Sequence, residues 1–192
     1  MNDIVIVKGV LESGGVVMHP TETCYGFAVD VYNESALEKL KSIKGREDKP
    51  FSILVDGLPM AQKFGIFSKK ALDLAQRYWP GPLSILVPRS EELPDFFNPG
   101  VDFVSIRCSS DDFTRMMVWS FGRPVTTTSA NVSGQEPLYE ANTTVFGEKA
   151  MDIDFVIDGG RIPRVAPSTI VKVVGDKIEI LRQGPILIED VD

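Results

Sequence analysis

Three polar runs in this chain stand directly after apolar stretches, and they hold residue types that bind ligands. Pro20-Thr21-Glu22-Thr23 follows Val16-Val17-Met18, Arg107-Cys108-Ser109-Ser110 follows Phe103 to Ile106, and Thr126 to Asn131 follows Pro124-Val125. In open α/β sheets, loops at strand ends converge over a rigid edge, so the three runs are candidates for one pocket. Taken singly, each also describes a turn whose hydroxyls bond their own backbone. A fourth cluster, Lys44-Gly45-Arg46 with Lys49, sends cations out of one short loop past a predicted helix end. Cations there suit the helix's negative pole, and they equally suit a bound triphosphate.

Other chemistries find no support. Neither G-x-x-x-x-G-K-[S/T] nor G-x-G-x-x-G occurs, so side chains rather than a glycine cradle would have to hold a nucleotide. His19, the sole histidine, lies at a strand end and reads as structural. No nucleophile elbow or paired carboxylates point to a hydrolase. Cys24 and Cys108 lack C-x-x-C spacing, which indicates neither a zinc site nor a disulfide framework, and no metal ligands are assigned. With 20 Lys+Arg against 27 Asp+Glu, the net charge of −7 has the wrong sign for a chain whose main ligand is a polyanion, although a local basic pocket is compatible with it.

The elements that must position these residues follow from periodicity. A helix is expected from Asp3 to Glu12, ended by Gly14-Gly15, then a buried strand Val16–Met18 and strand-like Tyr25–Val29. Asn33 or Ser35 caps a helix through Ile43 that Gly45 ends, with Glu38 placed for a capping box on Ser35. Phe51–Val55 is a strand, Asp56-Gly57 a turn, and Ser68 caps a helix stopped by Pro80-Gly81-Pro82. Leu83–Val87 and Phe103–Cys108 are strands flanking an irregular surface loop, Leu93–Gly100. Ser110 or Asp111 starts a helix ending near Gly122, and Pro124–Thr128 is a strand. A helix around Thr143–Lys149 and strands at 153–157, 169–174 and 178–181 complete the chain, the last two joined at Gly175-Asp176.

This alternation, with no linker, repeat or low-complexity tract, predicts an α/β fold in one domain, 1–192. Its sheet is a twisted, open, mixed parallel and antiparallel one with flanking helices. Two separated cysteines, a charged N-terminus and the lack of a long apolar stretch give the expectation of a cytoplasmic protein without membrane contact.

Eight short motifs then occur in order: Pro20-Thr21-Glu22-Thr23-Cys24-Tyr25-Gly26, Lys44-x-Arg46, Trp79-Pro80-Gly81-Pro82, Ser105-x-Arg107, Ser129-Ala130-Asn131-x-Ser133-Gly134, Asp158-Gly159-Gly160, Pro167-Ser168-Thr169-Ile170-Val171 and Leu181-Arg182-Gln183-Gly184. Together they resemble the YrdC-like threonylcarbamoyl-AMP synthase family, in its short form, over nearly the whole chain. The resemblance implies a YrdC-like fold with a concave basic cavity. It implies ATP as substrate with Mg²⁺, alongside L-threonine and bicarbonate or CO₂. Lys44, Arg46, Ser129 and Asn131 correspond to the family's K-x-R…S-x-N set facing the nucleotide, with Lys44 and Arg46 as catalytic candidates that neutralise phosphate charge. Lys49, Ser168 and Arg182 join the ATP contacts. Thr23, Arg107, Ser129 and Ser168 are the threonine contacts. A lid over Gly45–Pro50, partner proteins of the tRNA threonylcarbamoyl transfer complex and a weak direct tRNA contact are further implications.

Two departures stand out: Glu47 follows Arg46 where many relatives have proline, and Asp111-Asp112 replaces a His-Pro pair. Two other classes stay open. One is an RNA-binding module, which the charge and the lack of interleaved basic and aromatic residues oppose. The other is a non-catalytic relative using the same cavity.

Overall fold

The computed structural model describes residues 2–45 and 49–188. In chain order the elements are α1 (Asn2–Glu12), β1 (Val17–His19), β2 (Gly26–Ala28), α2 (Glu34–Lys44), β3 (Ser52–Leu54), α3 (Leu58–Phe64), α4 (Lys69–Tyr78), β4 (Leu83–Pro88), β5 (Phe103–Arg107), α5 (Asp112–Phe121), β6 (Val125–Ser129), a 3-10 stretch (Thr143–Asp152), β7 (Phe155–Val156), β8 (Thr169–Val174) and β9 (Lys177–Arg182). The strands form one sheet in the order β7-β1-β2-β6-β3-β5-β4-β8-β9. Pairing is parallel for β1 with β7, β3 with β5 and β4 with β8, and antiparallel elsewhere, the mixed open sheet that the alternation of elements predicts. No helix of the described residues is long and apolar enough to cross a membrane.

Period-two alternation divides the core between the two faces of the sheet. Val17, Ala28, Leu54 and Val125 face α1 and α5, burying Val7, Leu11, Met117, Val118 and Phe121. Met18, Phe27, Ile53, Ile85, Ile106 and Val171 belong to the larger core cluster that also takes in Leu40 of α2 and Leu74 of α4. Along β3 and β6 the parity that places Leu54 and Val125 beneath α1 and α5 continues into Ser52, Thr127 and Ser129. Hydroxyls therefore replace apolar side chains where the helices stop covering that face.

Helix ends follow local chemistry. Asn33 rather than Ser35 caps α2, its Oδ1 accepting from Ala36 N–H at 2.9 Å, a contact worth about 1 kcal/mol. Ser35 donates to Asn33 instead, and Glu38 pairs with Lys41, so the expected capping box does not form. Gly45 ends α2 at φ 58°, a left-handed conformation that a side chain would strain. Ser68 and Asp111 cap α4 and α5.

Three local features differ from expectation. Helix α3 has only two turns and carries Pro59 in its first turn, too little for a periodic signal. The stretch 93–100 is irregular but not superficial: Leu93 and Phe97 are buried, and Arg89 donates to the carbonyls of Leu93, Pro94 and Phe97. The helix expected near 143–149 is a 3-10 stretch broken at Gly147.

Candidate functional site

Strand register assembles what the chain separates. Arg107 of β5 pairs with Ser84 of β4, Ser84 with Ile170 of β8, and Ile170 with Arg182 of β9. Side chains paired across strands share a face, so these four form one row. Ser52 opposite Thr127, and Ser129 opposite Gly26, continue the polar floor. All of the row, with Ser52, Thr127 and Ser129, lines a single cavity of about 280 Å³ to which Thr23, Cys24 and Ser168 also contribute.

At one end of the row, Arg182 donates from Nε to the Ser168 carbonyl at 2.9 Å and from Nη2 to Ser168 Oγ at 3.0 Å. Ser168 Oγ lies 3.1 Å from Ser84 Oγ. No carboxylate offsets Arg182 in these contacts; burial and then the nearby Arg107 charge hold its guanidinium below the ordinary value. The turn into Ser168 depends on Gly184, where a Cβ would lie 2.2 Å from the Pro167 carbonyl oxygen and 2.4 Å from Thr169 N. Thr169 Oγ1 accepts from Gly184 N–H at 3.0 Å and Ile186 N–H at 3.1 Å, fastening that crossing.

At the other end, Arg107 is buried and its Nη2 lies 2.8 Å from Glu22 Oε1 and 3.2 Å from Thr23 Oγ1. Ser109 Oγ donates to Glu22 Oε2 at 2.5 Å, and Ser110 N–H donates to Oε1 at 3.2 Å. Burial pushes the Glu22 carboxyl up, but the Arg107 charge and the hydrogen bonds from Arg107 and Ser109 outweigh it, leaving the group below its ordinary value. Glu22 is thus ionised and already engaged. Burial pushes the Cys24 thiol up, so it stays protonated at neutral pH.

Lys44 has a different geometry from the arginines. Its buried ammonium donates to the carbonyls of Ser129 at 2.5 Å and Asn131 at 3.1 Å, and lies 3.2 Å from Asn131 Oδ1. Ser129 Oγ donates to the same Oδ1 at 2.5 Å, while Asn131 Nδ2 donates to Val132 and Gln135 carbonyls at 2.9 and 2.8 Å. Three members of the K-x-R…S-x-N set therefore interlock, presenting Ser129 to the cavity from behind.

Of the residues singled out from sequence, Thr23, Arg107, Ser129, Ser168 and Arg182 line the one cavity, and Asn131 and Lys44 support it. Lys49 lines a neighbouring cavity of about 200 Å³ with Lys41, Phe51 and Phe96, and the two cavities share Pro50. Arg46, and with it the middle of the expected lid, lies outside the described residues. Thr127 lies in the run 126–131 that the sequence offers as pocket-forming, whereas Ser84 and Ser52 are not anticipated, because only the register shows which strand hydroxyls face the cavity. His19 is buried; its Nδ1 lies 2.9 Å from the Pro20 carbonyl, and its Nε2 has no hydrogen-bond partner among the described residues. The Asp158-Gly159-Gly160 motif serves Tyr25, whose hydroxyl donates to the Gly160 carbonyl at 2.7 Å and accepts from Gly159 N–H at 2.9 Å. Among the described residues no group of three or more His, Cys, Asp or Glu is placed to hold a metal ion.

Comparison with known proteins bears on the family and the fold. A Methanocaldococcus jannaschii protein is 34% identical over 187 residues, covering 95% of this chain and 86% of its own length. A threonylcarbamoyl-AMP synthase of Thiobacillus denitrificans is 33% identical over 172 residues, covering 88% of this chain and 89% of its own. The Pyrococcus abyssi threonylcarbamoyl-AMP synthase is 29% identical, and this chain spans 55% of its length. The structure of Pyrococcus abyssi Sua5 complexed with L-threonine superposes with a TM-score of 0.85 over 94% of this chain and 54% of that one, at 29% identity. Escherichia coli YciO, at 19% identity and a TM-score of 0.86, shares the fold. The Sua5/YciO/YrdC family model, described as telomere recombination, matches residues 9–184. The chain belongs to the Sua5/YciO/YrdC family.

Proposed function

We propose that this chain is an L-threonylcarbamoyladenylate synthase, a nucleotidyltransferase that makes threonylcarbamoyl-AMP and pyrophosphate from ATP, L-threonine and bicarbonate or CO₂. The product supplies threonylcarbamoyladenosine modification of tRNA. The observation that carries the reading is the row Arg107-Ser84-Ile170-Arg182: two guanidiniums face one cavity whose adjoining carboxylate, Glu22, is already ligated. Such a cavity favours an anionic ligand, with Arg182 carrying the uncompensated charge and Arg107 offering its remaining N–H groups. Relatives named threonylcarbamoyl-AMP synthase, and the L-threonine complex of Pyrococcus abyssi Sua5, support threonine and ATP as that ligand set.

In the reaction, the threonine amine adds to CO₂ and loses a proton, giving a carbamate. A carbamate oxygen attacks the α-phosphorus of ATP; the bond to the bridging α–β oxygen breaks and pyrophosphate leaves. No side chain has to become covalently bound. Holding the two reactants in line contributes about 7–11 kcal/mol to lowering the barrier. Arg107 and Thr23 hold the amino acid, with Ser129 and Ser168 between the substrates. Arg182 and Ser168 meet the nucleotide together with Ser129 and Asn131. Arg46 and Lys49 neutralise the phosphates, and Lys44 holds the Ser129–Asn131 loop against them while adding its positive field. Magnesium arrives on ATP as part of the substrate, since a phosphate-bound ion keeps most of its waters and needs few protein ligands.

The same reading puts the enzyme in the cytoplasm as one domain. Separate proteins of the transfer complex, and at most a weak contact with tRNA, carry the product onward. Incubation with ATP, L-threonine and labelled bicarbonate tests the reading. It predicts pyrophosphate release and a labelled, threonine-dependent AMP conjugate. Strongly salt-dependent RNA binding with no conjugate would replace it with the RNA-binding reading.

A further inference from the structure

Glu22 is not among the residues that line the cavity, yet the wall is built on it. Its carboxylate is met by Arg107 Nη2 at 2.8 Å, Ser109 Oγ at 2.5 Å and Ser110 N–H at 3.2 Å. Ser109 is fully buried, and its Oγ also accepts from Asp111 N–H at 3.2 Å, which ties the acid to the N-cap of α5. Beyond Glu22, the same Arg107 Nη2 donates to Thr23 Oγ1 at 3.2 Å. Thr21 Oγ1 donates to the Cys24 carbonyl at 2.7 Å and accepts from the N–H groups of Thr23 at 3.1 Å and Cys24 at 3.3 Å, so its lone pairs are taken and the neighbouring Thr23 hydroxyl keeps its proton for another partner. One oriented chain therefore runs from the start of α5 through Glu22 and Arg107 into Thr23, whose Oγ1 takes the Arg107 N–H on one lone pair.

We propose that Glu22 is a positioning residue: its charge fixes the reach of Arg107, holds Thr23 Oγ1 in place for the amino acid through the Arg107 N–H, and cancels one of the cavity's positive charges. This rests on the reading of Thr23 and Arg107 as the amino-acid end of the site. With Glu22 neutral, Arg107 faces Arg182 uncompensated, and the cavity gains affinity for polyanions at the expense of an ordered amino acid. A merely structural acid would produce neither effect.

The test compares Glu22→Gln and Glu22→Asp with the wild type. Glu22→Gln raises the KM for L-threonine about tenfold while the KM for ATP moves less than about twofold, and inorganic pyrophosphate, titrated calorimetrically, binds several-fold tighter. Glu22→Asp keeps the charge and restores pyrophosphate affinity to the wild-type value, with most of the threonine KM. Equal behaviour of the two variants, or a fall in kcat with both KM values unchanged, overturns the proposal. If Glu22→Gln does not fold, Ser109→Ala takes its place; it removes one ligand of the carboxylate and raises the threonine KM about two- to fivefold, and an unchanged KM there is equally fatal. A wild type without threonine-dependent turnover defeats the functional reading, while the pyrophosphate titration still decides whether the Glu22 charge sets the cavity's preference for anions.

Discussion

Replacing Asn131 with alanine separates the structural from the catalytic meaning of the K-x-R…S-x-N set. In the folded chain this one amide accepts from Lys44 Nζ and Ser129 Oγ and donates to two carbonyls. A neutral hydrogen bond contributes about 1 kcal/mol net and one from a charged donor about 2, so the sum approaches 5 kcal/mol. Water entering the vacated space satisfies some of these groups, and bonds in one network are not additive. We therefore expect Asn131→Ala to lose about 2–4 kcal/mol in urea unfolding. At about 2–4 °C per kcal/mol for a chain of this size, the midpoint falls by about 5–15 °C. Asn131→Asp keeps both acceptor contacts but sets a carboxylate against the Val132 and Gln135 carbonyls, and it falls in between. Since Ser129 is displaced with its anchor, turnover drops on the order of 100-fold in both variants at temperatures where they stay folded. A stability change within about 0.5 kcal/mol for Asn131→Ala would refute the interlocking described above, whatever happened to activity.

Other expected outcomes concern single positions. Burial holds the His19 imidazole below its ordinary value, so the unfolded chain binds a proton that the folded one refuses. Stability is therefore complete above about pH 6.5 and declines as pH falls below it; urea midpoints at pH 7.5 and 5.5 should differ for the wild type and coincide more closely for His19→Gln. Burial also pushes the Cys108 thiol up to about 11. That thiol's contribution is present below about pH 9 and is lost as pH rises toward 11, on the order of 2 kcal/mol, a slope that Cys108→Ala removes. Gly184→Ala forces the 182–186 crossing away from Pro167 and Thr169, and we expect about 1–3 kcal/mol of destabilisation with a raised KM for ATP as Ser168 shifts.

Much of the architecture is legible from local chemistry. Apolar runs mark the strands, and Asn33, Ser68 and Asp111 announce helix starts because each offers an oxygen to an otherwise unpaired N–H. Gly45 and Gly122 announce helix ends through positive φ. The missed α3 has seven residues, and at that length an amphipathic period does not separate from a turn. The convergence of Thr23, Arg107 and Ser129 follows from strand ends being natural ligand sites. Ser84 and Ser52 stay hidden because a hydroxyl within a strand faces the cavity or the opposite face according to a register that the sequence does not state. Lys44 is legible from the resemblance as a site residue in one set with Ser129 and Asn131, but its direct bonds to their carbonyls are not, since those contacts span 85 to 87 positions.

Occupancy of the cavity can be read directly through its own thiol. Cys24 lines the cavity and is partly exposed, whereas Cys108 is buried on another path. With a small methanethiosulfonate at pH 8.5 and mass detection of each cysteine, ATP and L-threonine together should slow modification of Cys24 at least tenfold in the wild type, and much less in Arg182→Met, while leaving Cys108 unmoved. Substrate binding measured calorimetrically in the same sample, with the Cys24 rate unchanged, would place the substrates elsewhere and contradict the account.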